Sequence, residues 1–394
     1  MLVLRSKPLL AFVVATLVGV LSYLALTAGM RAVRSSAVDT ATAPGTVPEF
    51  VYNAPQTVPT TADYGPVGRV SMVFAGTDVL TGLSGQLDNP WIAISSQTGD
   101  YRALSAPHLP EPASGAVAVS PDGATLAWGF GEGVVLYDPV EDEAREVVEG
   151  VGGDPLVGPF SPDGRLLAVY DGSLRVLEVE SGEVAATLSG VDEEAARQAV
   201  WTPDGAALSY VATGRLVTHA WQSDNRAATP APVTAGATLA WQPSGEQLAT
   251  MREGQGGRSV EVFDVAVDGR LRLARTVQPD GYAQHELLGF TSDTRVAVIA
   301  LTLDSGAVGL VYRMSTVDTS PPTQVTQLAG EGTNWSGQET LEVAAQPLAG
   351  GSAAFDEPSW PWSELSKIVG SILCAVFAFG LFLTRRTPRR VRRG

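Results

Sequence analysis

Three histidines, His108, His219 and His285, are the side chains best suited to moving a proton near neutral pH, and each stands alone in the sequence. No HExxH, no helical His pair and no cysteine partner accompanies them, so neither a zinc site nor an acid–base pair is spelled out. Each reads as a surface or packed histidine. The runs Glu141-Asp142-Glu143 and Asp192-Glu193-Glu194 offer the convergent carboxylates that Ca²⁺ favours. Neither follows the alternating DxDxDG spacing of a calcium loop, and both read as solvated loop charge. There is no GxSxG elbow, and the two lysines, Lys7 and Lys367, lie far from any Walker-type loop, which excludes nucleotide binding of that kind. The glycine-rich stretch 253–257 does not lead from a strand into a helix and reads as an inter-strand loop. The sequence therefore assigns no catalytic, cofactor-binding or metal residue, and no cofactor is expected.

The elements that would position such residues are announced by a repeat. The strings VSPDGATLAW, FSPDGRLLAV, WTPDGAALSY and WQPSGEQLAT begin at Val119, Phe160, Trp201 and Trp241. A degenerate copy, FTSDTRVAVI, begins at Phe290. Proline presets φ for the first turn position, aspartate tolerates the second and bonds nearby N–H groups, and glycine supplies positive φ. On this reading Asp122, Asp163 and Asp204 are turn formers rather than ligands. Three residues beyond the glycine comes Leu126, Leu167, Leu208 or Leu248, with Val296 in the degenerate copy. A small residue follows each: Ala127, Ala168, Ser209, Ala249, Ala297. Small residues recurring at one place predict a crowded layer where neighbouring sheets meet. Each unit continues through a β-rich run, a second turn and a short closing strand, giving about four strands in about 40 residues, the arithmetic of a propeller blade. Trp128, Trp201, Trp221 and Trp241 fall at strand positions and read as interblade packing rather than a sugar-stacking platform.

Over residues 115 to 312 these PDG-containing units resemble the WD-repeat-like blades of the TolB-type β-propeller family. The resemblance implies an all-β chain built from four-stranded blades. Units are read at 115–150, 156–190, 197–236, 237–279 and 285–330, with a weaker first unit at 69–109. Thr340 to Ala345 and Phe50 to Tyr52 are candidates to complete a blade from both chain ends. The expectation is six or seven four-stranded blades flanked by N- and C-terminal transmembrane helices.

Leu9 to Ala28 is an uncharged run of 20 residues, read as an uncleaved anchor, with a cleaved signal peptide as the competing reading. Ile368 to Leu383 is a second apolar run, preceded by Trp360 and Trp362 and followed by RRTPRRVRRG. The positive-inside rule places that tail in the cytoplasm, and a nucleic-acid-binding tail is the alternative. No LPxTG-type motif precedes the run, which argues against sortase attachment. The resulting expectation is a two-span cell-membrane protein with both termini cytoplasmic and the propeller extracytoplasmic. Its parts are a short N-terminus (1–8), a signal anchor (9–30), a linker (31–48), the propeller (49–351), a second linker (352–364), a transmembrane helix (365–384) and a basic tail (385–394). Cys374, the one cysteine, lies within the second apolar run, which excludes an internal disulfide framework. Asn334-Trp335-Ser336 matches a glycosylation sequon by chance in a chain that reads as bacterial, its 24 arginines against 2 lysines pointing to a GC-rich, actinobacterial-like source.

From Thr40 to Ser363 there are 15 arginines and 40 carboxylates, a net charge of −25 that disfavours nucleic acid as a partner. The favoured function is a binding or scaffold module of the bacterial cell envelope that engages an envelope protein or glycan. The alternative is an envelope-polymer hydrolase or lyase with carboxylates in the propeller channel. A transmembrane sensor is a weaker third reading, since the cytoplasmic portions leave little room for an output domain.

Overall fold

Alternation along the second strand of each repeat builds the seams between sheets. A β-strand points successive side chains to opposite faces. The leucine of each repeat therefore packs toward the preceding blade and the small residue toward the next. Leu126 joins a cluster with Val70, Val73 and Trp91, whereas Ala127 packs with Val157, Phe160 and Leu167. Leu208 packs with Leu174 and Val176, and Leu248 with Val211 and Leu216. A large residue facing one way and a small one facing the other lets adjacent sheets approach closely. Each fully buried leucine contributes about 1.5–3 kcal/mol.

The computed structural model describes residues 13–23, 45–48, 50–51, 58–76, 79–81, 85–88, 90–112, 116–147, 153, 155–233, 237–254, 257–267, 269–277, 285–292, 295–303, 310–318, 326–327, 341–344, 352–353, 355, 369–376 and 379. They form an all-β propeller with five four-stranded blades. Blade 1 consists of Leu341–Val343, Val70–Ala75, Trp91–Ser95 and Tyr101–Ala103, in that order from its inner edge. Blade 2 runs Ala118–Val119, Leu126–Phe130, Gly133–Asp138 and Glu143–Val147. Blade 3 runs Leu156–Phe160, Leu166–Tyr170, Leu174–Glu178 and Val184–Leu188. Blade 4 runs Val200–Trp201, Ala207–Ala212, Arg215–Ala220 and Asn225–Pro230. Blade 5 runs Leu239–Trp241, Gln247–Gly254, Gly257–Val265 and Leu271–Val277.

Two expectations are corrected here. The four-stranded blades number five among the described residues, not six or seven. Apart from two two-stranded sheets, Val47–Pro48 with Ser352–Ala353 and Val79–Thr81 with Gly85–Leu87, there is one further sheet, in which His285–Ser292, Arg295–Leu303 and Leu310–Asp318 are joined by both Phe50–Val51 and Thr326–Gln327, which share the edge of Leu310–Asp318 and make it five-stranded. The chain ends thus interlock with the sheets in two places. Leu341–Val343 supplies the first strand of blade 1 by pairing antiparallel with Val70–Ala75, while Phe50–Val51 joins the last sheet.

The flanking transmembrane helices are also overturned. Among the described residues no helix is long and apolar enough to cross a membrane. A helix that spans about 30 Å of hydrocarbon needs about 20 apolar residues at 1.5 Å per residue. The two-span cell-membrane localisation, with cytoplasmic termini and an extracytoplasmic propeller, falls with them. Contacts divide the chain into two units, residues 1–37, 63–65 and 359–394 in one and 38–62 and 66–358 in the other. Within the first, a Cβ at Gly19 would lie 3.3 Å from that of Ala375. Lys7, Trp360, Trp362, the arginine-rich tail and Asn334-Trp335-Ser336 lie outside the described residues.

Candidate functional site

The Ser/Thr-Pro-Asp-Gly turns join the first and second strands of blades 2, 3 and 4. In blade 2 the Gly123 N–H donates to Ser120 O (2.9 Å) and the Ser120 N–H to Thr125 O (2.8 Å), closing a tight reversal with Gly123 at φ +69°. The Ser120 hydroxyl donates to Asp122 Oδ1 (2.8 Å), which also accepts the Ala124 N–H (3.1 Å). Ser161 with Asp163 and Thr202 with Asp204 repeat the pattern, each hydroxyl donating to Oδ1 at 2.6 Å. The three aspartates sit as turn formers. Successive turns stack: a Cβ at Gly164 would lie 3.7 Å from Pro121 Cδ, at Gly205 3.7 Å from Pro162 Cδ, and at Gly245 3.9 Å from Pro203 Cγ.

These bonds set the acid response. Burial alone would raise the Asp122 carboxyl, but bonds from Arg69 (2.6 Å), the Ala124 N–H and Ser120 outweigh it and hold it below its ordinary value. The slight burial of Asp163 is likewise outweighed by Ser161, and Asp204 is lowered chiefly by the Thr202 hydroxyl. A carboxyl depressed on folding contributes stability above its unfolded pKa, which is lost as pH falls through the folded value. Thermal stability should therefore drop below about pH 4. Replacing all three aspartates by asparagine should lower the melting temperature at pH 7 and flatten its fall between pH 5 and 3. Thermal melts across that range check it, and an unchanged acid limb in the triple variant would refute the assignment.

The turn between the third and fourth strands closes on a residue with left-handed backbone: Gly99, Asp142, Gly182, Asp224 and Gly269 in blades 1 to 5. An aspartate there needs support that glycine does not. Tyr137 donates from its hydroxyl to Asp142 Oδ1 (2.7 Å), and His219 Nε2 lies 2.6 Å from Asp224 Oδ1, each pair five residues apart. At the equivalent strand positions opposite Gly99, Gly182 and Gly269 stand the apolar Ile94, Leu177 and Phe263. Burial first, and then the Asp142 carboxylate, raise the Tyr137 phenol, so it remains a donor.

His219 is fully buried. A carboxylate only accepts, so Nε2 carries a proton, and Nδ1 lies 3.3 Å from the Tyr210 hydroxyl. Asp224 also takes the Ser189 hydroxyl on Oδ2 (3.0 Å) and the Ser189 N–H on Oδ1 (3.3 Å), joining blade 4 to the segment leaving blade 3. The His219 bond is the main reason the Asp224 carboxyl lies below its ordinary value. The order Ser–Asp–His–Tyr differs from a hydrolytic triad, because the carboxylate rather than the imidazole meets the serine hydroxyl and no base draws its proton. This cluster is an interblade clasp.

Elsewhere the residues singled out by sequence stay apart. His108, at φ +56°, stacks on Phe130 with centroids 3.8 Å apart and places Nε2 3.1 Å from Glu146 Oε1. His285 lies on a strand whose side chain is outside the described residues. Asp192 caps the short helix Glu193–Arg197 by accepting the Ala195 N–H (2.8 Å), and Glu193 pairs with Arg197 (2.6 Å). Glu141 and Glu143 are exposed. Trp128 is fully buried, and Trp201 and Trp221 donate to Pro159 O (2.9 Å) and Gly205 O (3.0 Å). Residues Gly254 and Gly257 pair directly, making the glycine-rich stretch a hairpin end. Cys374 is an exposed free thiol. Among the described residues no group of three or more His, Cys, Asp or Glu is placed to hold a metal.

The inner strands Ala118–Val119, Leu156–Phe160, Val200–Trp201 and Leu239–Trp241 contain no ionisable residue, whereas Leu341–Val343 of blade 1 contains Glu342 and His285–Ser292 contains His285 and Glu286. The face carrying the first-to-second and third-to-fourth turns exposes Asp163, Asp204, Glu246, Glu141 and Glu180. Sequence reasoning did not single out Tyr137, Ser189 or Tyr210. The readable signal was the exchange of glycine for aspartate at the turn together with an apolar-to-donor exchange five residues earlier.

No family model matches the chain, and no curated protein matches it. Similar solved structures include hydrazine synthase of Kuenenia stuttgartiensis, at 17% identity and TM-score 0.41, covering 54% of this chain and 64% of that one. The chain thus spans less than two thirds of that structure's length. A putative TolB from Agrobacterium tumefaciens is similar at 16% identity and TM-score 0.38, over 55% of this chain and 80% of its own. The β-propeller domain of Cps50 (Swd1) from Myceliophteria thermophila is similar at 15% identity and TM-score 0.39, over 62% and 81%. Nothing of their activities is carried over to this chain.

Proposed function

We propose that the chain is a binding module of the bacterial envelope that engages a protein or glycan through the face bearing the Pro-Asp-Gly turns. The observation that carries this reading is that face itself, where the exposed carboxylates Asp163, Asp204 and Glu246 crown successive turns of blades 3, 4 and 5. The turn tips of blades 3 and 4 are rigidly held, since Asp163 and Asp204 are tied to their own turn hydroxyls and Gly164 and Gly205 lie against the neighbouring prolines. A rigid polar surface loses little conformational entropy on association.

The test is a photo-crosslinking amino acid placed in the full chain at Asp163 or Asp204, and separately at Thr213 between the second and third strands, on the opposite face. In cells of the source organism, a discrete adduct from the first two positions and none from the third is the expected result. Equal adducts from both faces, or none together with turnover of an envelope glycan by the purified chain, would overturn it.

A further inference from the structure

Every blade ends in an outer strand whose free edge is a template for another strand, and three of the five are blunted. In blade 1, Tyr101–Ala103 is buried, and the Ala103 N–H is taken by Pro59 O (3.0 Å). In blade 2, Glu143–Val147 carries Glu143 and Glu146, and its Arg145 reaches over to the Val179 and Glu180 carbonyls of blade 3. The outer strand of blade 3 is five residues, carries no arginine and, like that of blade 5, pairs across a register shift. That of blade 4 ends in Pro230.

Blade 5 differs. Its outer strand, Leu271–Val277, is the longest of the five at seven residues, about 23 Å. Leu273 on it is 49% exposed, and Val267, in the turn before it, is fully exposed. Among the described residues of the propeller, Phe130 is the one other large apolar side chain so exposed. Arg270, Arg272 and Arg275 fall within six residues, with no carboxylate from 269 to 277, in a region where carboxylates outnumber arginines 40 to 15.

The register explains what such an edge selects. Leu271 pairs opposite Val265 and Leu273 opposite Phe263, whereas Arg272 stands opposite Asp264 and Arg275 opposite Val262. The shift between Val262 and Phe263 absorbs one residue, so Arg272 and Arg275 share one face and the leucines the other. Arg275 Nη1 is buried without a hydrogen-bond partner. A strand added here meets guanidinium groups on one face and aliphatic side chains on the other.

We propose that the outer edge of blade 5 accepts an extended segment of a partner protein as a fifth strand, its carboxylates alternating with aliphatic residues to face Arg272, Arg275 and Leu273. Main-chain bonds supply affinity and the alternation supplies selectivity. A second copy of this chain is a poor complement, because its acidic outer strand places Glu143 and Arg145 on the same face.

The test uses the full chain and three fluorescent heptapeptides: alternating Glu and Val, alternating Lys and Val, and the Glu–Val peptide N-methylated at every second residue. Saturable binding of the first, tenfold or more weaker binding of the other two, and a tenfold loss on Arg272→Glu are expected. Arg272 is exposed, so a thermal melt verifies that variant's fold, and the N-methylated arm needs no variant. Absence of binding, equal binding of the lysine peptide, or N-methylated binding within twofold of the parent overturns the proposal. So does self-association in sedimentation velocity that Arg272→Glu abolishes, which would make a second copy the occupant.

Discussion

Gly123→Ala is expected to destabilise the chain by about 3–5 kcal/mol, several times the effect of the same change at Gly164. Both glycines close a Pro-Asp-Gly turn with left-handed backbone, φ +69° and +73°, so both substitutions carry the left-handed penalty of about 1–2 kcal/mol. Their surroundings differ. A Cβ at Gly164 meets only Pro121 Cδ at 3.7 Å, an ordinary contact. At Gly123 it would lie 1.9 Å from Val70 O and 2.9 Å from Val70 N and C, all backbone atoms of the neighbouring blade. That approach is itself bonded: the Val70 N–H donates to Gly123 O (2.8 Å), and Arg69 reaches Asp122 O (3.1 Å) and Oδ2 (2.6 Å). Making room for a methyl breaks these links as well as overpacking the seam. Equilibrium denaturation of the two variants checks the ordering, and equal losses would mean that the turn of blade 2 does not seat on Val70 as described.

The same pair of glycines shows how far the sequence could be read. The turns at 120–123, 161–164 and 202–205 are nearly identical in spelling, with Ser244 in place of the aspartate at 242–245, and their chemistry follows from proline, glycine and the short polar residue between them. The alternation of leucine and a small residue likewise foretold which faces meet. What the turn spelling could not tell is that blade 1 has no Pro-Asp-Gly turn of its own, so the slot filled by a proline ring elsewhere is filled beside Gly123 by backbone. Residues 340–345 read as a strand completing a blade from both chain ends, and residues 341–343 do so as the first strand of blade 1, about 270 positions away from its neighbour; the antiparallel register shows which strand they join. The clasp around His219 was hidden for a related reason. Only the His219–Asp224 pair, five residues apart, leaves a local pattern; Ser189 and Tyr210 are brought to it by contact between two blades and by strand pairing, which leave none. The sheet count failed at one place: two short strands from opposite ends of the chain compete for one edge, and a repeat period cannot show such sharing.

Trp128→Ala should cost about 3–5 kcal/mol, whereas Trp128→Phe should cost far less, and at Trp91 the gap between the two changes should narrow. Both indoles are buried in the seam between blades 1 and 2, packed with Val70, Leu126 and Val135. Truncation to alanine at either position removes a large ring from a closely packed layer, and Tyr137, whose ring centroid lies 5.9 Å from that of Trp128, cannot move into the space while its hydroxyl is held by Asp142. The phenylalanine variants separate packing from hydrogen bonding. Trp128 Nε1 is buried without a partner, so phenylalanine there removes an unsatisfied donor along with some ring volume. Trp91 Nε1 donates to Pro110 O at 2.7 Å, and phenylalanine would strand that carbonyl, adding about 1–3 kcal/mol. Denaturation of the four single variants measures both differences. If Trp128→Phe proves as damaging as Trp91→Phe, the Trp128 indole has a hydrogen-bond partner, and the seam is more polar than its apolar lining indicates.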